Sequence, residues 1–202
     1  MENDAGKQEL KEGRGRAMRT DARRNVDALL QAAMTVFAES GVDAPIRTIA
    51  AEAGVGVGTL YRHFPQRSDL IRAIIRRDVE AQVEAAASLA AAHPPMAALE
   101  LWMERLVDFV TTKRHLGPAL HSGDPTYQSL PDFVFGQLVP ALRGLLDAAI
   151  RSGAIRNDAD AGDLLNAGLR LATPAGDGDI ALARRMLTLL VDGLRYRPTP
   201  SA

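Results

Sequence analysis

Residues 44–70, APIRTIAAEAGVGVGTLYRHFPQRSDL, determine how the rest of the chain is interpreted. They predict two short helices joined by a turn that contains glycine. Pro45 can open the first helix, because a first-turn residue has no intrahelical partner for the N–H that proline lacks. Ile49 and Ala53 recur at helical spacing, and Gly54 follows at the position where a chain leaving a helix often takes a positive φ.

The second helix is predicted to begin near Val57. Leu60 and Phe64 lie on its inward face at helical spacing, and Pro65 ends it. A helix, a three- or four-residue turn with glycine and a second short helix form a helix-turn-helix. The run GVGVG at 54–58 looks superficially like a nucleotide-binding loop. It follows a helix rather than a strand, however, and no Gly-Lys-Ser/Thr comes after it.

The outward side chains of the second helix suit contact with a nucleic acid. Four of them carry polar groups that can bond phosphate oxygens or base edges: the hydroxyls of Thr59 and Tyr61, the guanidinium of Arg62 and the imidazole of His63. Each also has an ordinary structural interpretation: Tyr61 as a half-buried packing residue, and Arg62 and His63 as solvated surface groups.

The segment AGVGVGTLYRHF, followed by Pro65, Arg67 and Leu70, closely resembles the DNA-binding segment of the tetracycline-repressor (TetR) family. The family pattern is roughly IA-x-x-AGVS-x-GTLY-x-HF, then a basic residue and a leucine. The match spans about fifty residues, about a quarter of the chain. Gly56 stands where the family usually has a serine N-cap, and Pro45 replaces the usual threonine, which removes one possible phosphate contact.

The resemblance implies a homodimeric DNA-binding regulator, most simply a repressor that a small ligand releases. We expect Val57 and Gly58 to approach the bases and Arg47 to contact a guanine. The DNA-binding residues predicted in this way are Arg47, Val57, Gly58, Thr59, Tyr61, Arg62, His63 and Arg67. The partner is then double-stranded DNA with a palindromic operator, because a paired helix-turn-helix reads two half-sites.

Composition favours an all-α fold. Hydrophobic residues make up 47% of the 202 residues and aromatic residues only 4%, which favours helix packing over a β-sandwich. The absence of cysteine excludes disulfides and thiolate metal sites. The polar N-terminus and the lack of a long apolar run lead us to expect no signal peptide, no membrane span and a cytoplasmic location.

Charge is distributed unevenly along the chain. Residues 14–77 hold eleven Arg and six Asp or Glu, a net charge of +5, whereas residues 78–202 carry a net charge of −4. A basic module on an acidic body is typical of a protein that contacts nucleic acid at one end, although a fluctuation of this size also occurs by chance. Arg14, Arg16 and Arg19 form a basic arm that either lies along DNA or is simply solvated.

These patterns predict three regions: a flexible basic arm at 1–19, a three-helix helix-turn-helix domain at 20–67, and a helical ligand-binding and dimerisation domain at 68–202. Thr20 or Asp21 is expected to cap a first helix that reaches Ser40. Ser68 is expected to cap a helix that runs to Ala92 and links the two domains. Further helices are predicted over 96–114, 133–152, from about 160 to 172, and 180–196, with loops and room for one helical turn at 116–132.

The last two helices carry apolar or small residues at helical spacing. We expect them to pair with their copies across a two-fold axis as a four-helix bundle, as the family resemblance also implies. The predicted interface residues are Leu165, Gly168, Ala183, Leu187, Leu190 and Leu194. The alternative is that these residues serve only the core of their own subunit.

The middle helices hold most of the aromatic residues outside the DNA module. An apolar pocket with a few polar groups is the usual small-molecule site, so we expect an apolar ligand there. Its predicted lining is Trp102, Met103, Leu106, Phe109, Tyr127, Phe133 and Leu138, with His115 and His121 as further polar candidates. Core packing is the competing explanation for each of these residues.

No pattern in the sequence predicts catalysis, a metal or a cofactor. The four histidines show neither the spacing of a metal site nor a Ser-His-Asp arrangement. Two other functions stay open at this point: a regulator that responds to a protein partner instead of a small molecule, and an all-α enzyme with an incidental helix-turn-helix.

Overall fold

The computed structural model describes residues 25–173 and 179–196, and the described residues are helical with no strand. α1 is described over 25–40. The following helices are α2 (Ile46–Glu52), α3 (Val57–His63), α4 (Arg67–Ala92), α5 (Pro95–Thr111), α6 (Gly117–Leu120), α7 (Leu130–Arg151), α8 (Ala161–Ala172) and α9 (Ile180–Gly193). Short 3₁₀ turns lie at Arg114–Leu116 and Pro125–Tyr127. The expected basic arm, the caps at Thr20 and Asp21 and most of the 173–179 loop lie outside the described residues.

The chain divides into two compact units at residues 74 and 75. The boundary lies inside α4 rather than at the expected position between 67 and 68. The reason is that the first two turns of α4 bury Leu70, Ile71 and Ile74 together with the helices that precede them in the first unit. α4 is one continuous helix through this boundary.

The first unit is a small three-helix core with the beginning of α4. The apolar stripe of α1 recurs at helical spacing and is buried at Leu29, Leu30, Ala33, Val36 and Phe37, whereas Val26 is half-buried. Ile49, Leu60 and Phe64 are buried as well. This core holds α3 in a defined orientation only if the turn between α2 and α3 fixes the angle between the two helices.

Gly54 lies in the turn that sets this angle. It has a φ of +67°, and its N–H donates to the carbonyl of Ala51 at 3.0 Å. The N–H of Val55 donates to the carbonyl of Ala50 at 2.9 Å. These two bonds form a Schellman motif, which satisfies the last carbonyls of α2 and requires the left-handed backbone that glycine adopts without a Cβ clash.

The second unit is built around α5, which packs against α7, α8 and α9. Its buried side chains include Leu99, Trp102, Met103 and Leu106. α8 begins at an Asp160 N-cap, as predicted, with the carboxylate accepting from the N–H groups of Gly162 and Asp163. These hydrogen bonds lower the pKa of Asp160, because they favour the charged carboxylate.

Helix ends depart from the sequence predictions by a few residues. Pro45 is the N-cap of α2 rather than its first residue. α4 begins at Arg67, so Ser68 lies inside the helix, and the N–H of Gln66 donates instead to the Asp69 carboxylate at 3.0 Å. This is the acidic half of a capping box, in which the side chain at the third helical position accepts from the N–H of the residue before the helix.

One described segment, Pro125–Arg151, is long and apolar enough by length and composition to cross a membrane. α7 accounts for most of it and packs against α5 and α8. Its charged residues Asp132, Arg143 and Asp147 are exposed. A core helix of this length passes the same test, so the segment is weak evidence for a membrane span.

We predict that Gly54→Ala lowers the free energy of unfolding by about 1–2 kcal/mol, because an L-residue is strained at positive φ. Gly56→Ser is the control. Gly56 has a φ of −69° and open space where a Cβ would lie, and the serine side chain adds an oxygen that can cap α3. We expect it to raise stability by a few tenths of a kcal/mol. Urea unfolding followed by circular dichroism measures both, and equal effects of the two substitutions would contradict the role of Gly54.

Candidate nucleic-acid interface

Five residues of α3 are exposed to solvent. Leu60 is buried beneath them, whereas Tyr61 is 50% exposed and Val57 39% exposed. We call the exposed set Val57, Gly58, Tyr61, Arg62 and His63 the reading face. α3 has seven residues and is about 10 Å long, and an α-helix, about 10–12 Å across with its side chains, fits a major groove about 12 Å wide.

The chemistry of the reading face suits a duplex. Arg62 and His63 lie in the last turn of α3, where both add hydrogen-bond donors and Arg62 adds a positive charge. Gly58 is exposed, and a Cβ built on it would have open space around it. The backbone of α3 can therefore come close to a flat surface at this point, with no protein atom of the described residues in the way.

Gly56 is the N-cap of α3 and makes no side-chain hydrogen bond to the helix. This is the arrangement expected from a glycine at the usual serine position. α3 is therefore held by the turn before it and by the burial of Leu60 more than by its own cap.

Three predicted contact residues lie outside the reading face. Arg47 is exposed on α2 and is free to extend outward. Arg67 is half-buried, and its guanidinium donates to the carbonyl of Val42 in the loop between α1 and α2. Its side chain thus ties that loop to the start of α4, a structural role that the sequence analysis missed. Thr59 is half-buried.

Most of the residues predicted to line an apolar pocket are buried. Trp102, Met103, Leu106 and Leu138 are at most 1% exposed and Tyr127 is buried, which agrees with core packing and equally with the lining of an enclosed site. Phe109 and Phe133 are half-buried. Two shallow pockets do occur, and of the predicted residues Phe109 lines one and Met103 the other.

The residues predicted for the dimer interface are also mostly inside the subunit. Leu165, Gly168, Ala183, Leu187 and Leu194 are buried, and Leu190 is half-buried. A Cβ on Gly168 would lie 2.9 Å from Leu106 and 3.0 Å from Met103. The small-residue seam of α8 is therefore used for close packing against α5 within one chain.

α9 has a second apolar face, made of exposed residues, in addition to the apolar face that is buried inside the subunit. Leu182 (49% exposed), Met186 (41%) and Leu189 (67%) lie four and three residues apart on the opposite side of the helix. We call these three residues the outer stripe of α9. The sequence carries a signal for this face, because Met186 and Leu189 widen the apolar pattern of the last helix.

Among the described residues, no three His, Asp or Glu side chains lie close enough to hold a metal ion.

The fold and the exposed helix define the class of the protein: a helix-turn-helix unit joined through one helix to a larger helical domain.

Comparison with known proteins identifies the family. A family model described as bacterial regulatory proteins of the tetR family matches residues 29–74. A second model, the C-terminal domain of SbtR-like transcriptional regulators, matches residues 94–196, about half of the chain. The chain therefore belongs to the TetR family of transcriptional regulators.

Similar structures and sequences agree with this assignment. A TetR transcriptional regulator from Streptomyces coelicolor is 39% identical, with 84% of this chain and 98% of that chain covered and a TM-score of 0.69. A TetR regulator from Mycobacterium vanbaalenii is 32% identical over 89% of this chain and 99% of that chain, with a TM-score of 0.70. An HTH-type transcriptional regulator of Staphylococcus aureus (strain USA300) is 44% identical over 64 residues, 31% of this chain.

The chain spans only about a third (35%) of the length of that curated relative. The likeness to that relative covers 64 residues, a part the size of the DNA-binding region, whereas the two solved structures cover 84% and 89% of this chain. All of these matches are regulators, in agreement with the expectation that the protein is not an enzyme.

We predict that Gly58→Ala separates folding from DNA contact. Alanine in the first turn of α3 raises the free energy of unfolding by up to about 1 kcal/mol, because glycine is the poorer helix former. The added Cβ stands between α3 and a duplex and weakens DNA binding. Urea unfolding and fluorescence anisotropy with labelled DNA measure the two effects. Higher stability with unchanged DNA affinity would show that Gly58 does not face the DNA.

Proposed function

We propose that the protein is a homodimeric, cytoplasmic transcriptional repressor that binds a palindromic operator through α3 and is released by a small molecule. The observation that carries the proposal is the reading face: five exposed residues on a short helix that is fixed by the Gly54 turn and by a buried Leu60. Membership of the TetR family supports the same function.

In this proposal the residues of the interface have separate tasks. Val57 and Gly58 approach base edges, while Tyr61 and His63 fix the helix on the phosphate backbone. Arg62 adds a phosphate contact of the same kind. Arg47 is exposed on the neighbouring helix and supplies the bidentate donors that a guanine accepts in the major groove. Arg67 acts indirectly, because its guanidinium bonds to Val42 and holds the loop before α2.

The proposed dimer uses the outer stripe of α9. Large apolar side chains on one face of a surface helix are favoured at contacts between copies of a chain, because burial removes them from water. Leu182, Met186 and Leu189 meet this condition, whereas Ala183 and Leu187 are already covered by their own subunit. A two-fold axis through this helix gives the self-complementary contact that a closed dimer needs.

The proposed response to a small molecule rests on the second unit and on α4, which continues into both units. A ligand that favours one position of α4 shifts the population of DNA-binding states. The rival is a regulator that answers to a protein partner. A small molecule that binds the folded state raises the melting temperature progressively as its concentration exceeds its Kd, and this distinguishes the two.

We predict that Tyr61→Ala and Arg47→Ala both weaken binding to DNA taken from beside the gene, and in different ways. Tyr61→Ala removes a phosphate contact and lowers affinity for every sequence. Arg47→Ala costs about 1–3 kcal/mol and relaxes the preference at one base pair. Fluorescence anisotropy over 50–200 mM salt measures affinity and the salt slope.

The matched control is Arg151→Ala, which removes an equally exposed arginine from the second unit. We expect it to leave DNA affinity unchanged. Equal losses in Arg47→Ala and Arg151→Ala would mean that the binding is a general effect of charge and that α2 and α3 do not read DNA.

We predict that Leu189→Glu converts the dimer to a monomer, because it places a charge at the most exposed residue of the outer stripe. The side chain is exposed in the single subunit, so the helical circular dichroism signal at 25 °C stays the same. Ala181→Glu, also exposed on α9 but away from the stripe, should remain dimeric. Sedimentation equilibrium measures the molar mass of each variant in solution. A Leu189→Glu variant that is still dimeric would mean that the interface lies elsewhere.

A further inference from the structure

Lys113 is a buried amine that the proposed DNA contacts do not use. The chain has three lysines, and the other two, Lys7 and Lys11, lie outside the described residues. The side chain of Lys113 is 8% exposed and lines a pocket of about 230 Å³ between α4 and α5, within the second unit. Lysine is seldom buried, and a buried lysine in a pocket is a candidate nucleophile.

Three hydrogen bonds hold the Lys113 ammonium. Its Nζ lies 2.8 Å from Asp78 Oδ2, and it donates to the carbonyl of Phe109 at 2.7 Å and to the hydroxyl of Thr112 at 3.2 Å. These three bonds match its three protons. The bond to Thr112 is the longest, and Thr112 is exposed and lines the pocket. The side of the nitrogen toward Thr112 is therefore where a small molecule in the pocket can replace a protein contact.

The surroundings of Lys113 make its amine easier to deprotonate than that of a solvated lysine. Burial lowers its pKa, because the charged form loses hydration, and the nearby guanidinium of Arg77 acts in the same direction. The Asp78 carboxylate opposes this shift, but the pKa stays below its ordinary value. Desolvation beside a second cation is an environment in which lysine amines attack carbonyl groups. Asp78, at 2.8 Å, is placed to accept the proton.

From this geometry we propose that the α4–α5 pocket binds a small aldehyde covalently, as a Schiff base on Lys113. The ammonium gives one proton to Asp78, and the free amine adds to the aldehyde carbon to form a carbinolamine. Asp78 returns its proton to the carbinolamine hydroxyl, which leaves as water. One ammonium and one aldehyde thus give one iminium and one water, with no oxidant or reductant and no change in charge. The iminium keeps one N–H and stays paired with the Asp78 carboxylate.

The pocket suits a short, uncharged aldehyde. Lys113 Nζ lies 4.2 Å from the centre of the Phe109 ring, which is half-buried and lines the pocket. A cation over an aromatic face is stabilised, and this holds for the ammonium and the iminium alike. The ring and Ala81 also offer apolar surface to the hydrocarbon part of the aldehyde. The volume is below the 300–1,000 Å³ usual for drug-sized ligands, which limits the aldehyde to a few carbons.

Reductive trapping on the full chain tests the proposal without DNA, so it fails or holds independently of the proposed function. Sodium cyanoborohydride at pH 7 converts the iminium formed with butanal into a stable butylamine, and peptide mapping by mass spectrometry shows which lysine carries it. We expect Lys113 to be alkylated at least tenfold faster than Lys7 and Lys11. Its rate should saturate with butanal concentration, because the aldehyde first binds the pocket. Lys113→Arg keeps the positive charge and should lose only this adduct.

Two alanines of α4 provide a matched pair of variants. Ala81→Leu fills the pocket from an exposed position and leaves the bonding groups of Lys113 in place, so it should slow alkylation of Lys113 at least tenfold. Ala87→Leu, exposed on α4 outside the pocket lining, should react like the unmodified chain. Equal rates at the three lysines, a rate at Lys113 that does not saturate, or an unchanged rate in Ala81→Leu would overturn the proposal and leave Lys113 as a structural partner of Asp78.

Discussion

The left-handed turn at Gly54 is the constraint on which the DNA-binding unit depends. Its two hydrogen bonds end α2, and its positive φ sends the chain into α3 at a fixed direction. α3 itself has seven residues, a glycine N-cap without a side-chain bond and one fully buried residue, so it has little intrinsic stability. The turn and the anchor at Leu60 therefore supply most of the order that a reading face requires.

Secondary structure and the helix-turn-helix could be predicted from the sequence, because both depend on local patterns. The stripe of α1, the turn at Gly54 and the Asp160 cap of α8 are set by residues within one or two turns of each other. The predicted cap of α4 at Ser68 was wrong. Ser68 and Asp69 both carry side chains that can accept a hydrogen bond at a helix start, and only the geometry shows that the Asp69 carboxylate accepts from the N–H of Gln66. Family resemblance added the assignment of the DNA-contacting side.

The interface and the pocket were harder to predict, because periodicity does not say which partner an apolar face meets. α9 carries apolar residues on two sides, and only the packing of α5, α8 and α9 shows that Leu187 faces inward and Leu189 outward. In the same way Trp102 and Leu138 are buried, which agrees with core packing and equally with the lining of an enclosed site. The Asp78–Lys113 pair and the unpaired oxygen of Gln82 depend on the relative register of α4 and α5, which no local pattern encodes.

The central claim is that the protein reads a specific DNA sequence through α3. Selection from a pool of random duplexes, with sequencing of the bound fraction, tests it most directly. Our account predicts enrichment of one motif with two-fold symmetry, and loss of that enrichment when Tyr61 is replaced by alanine. A pool that remains unenriched, or a motif that the Tyr61→Ala variant selects equally well, would contradict it.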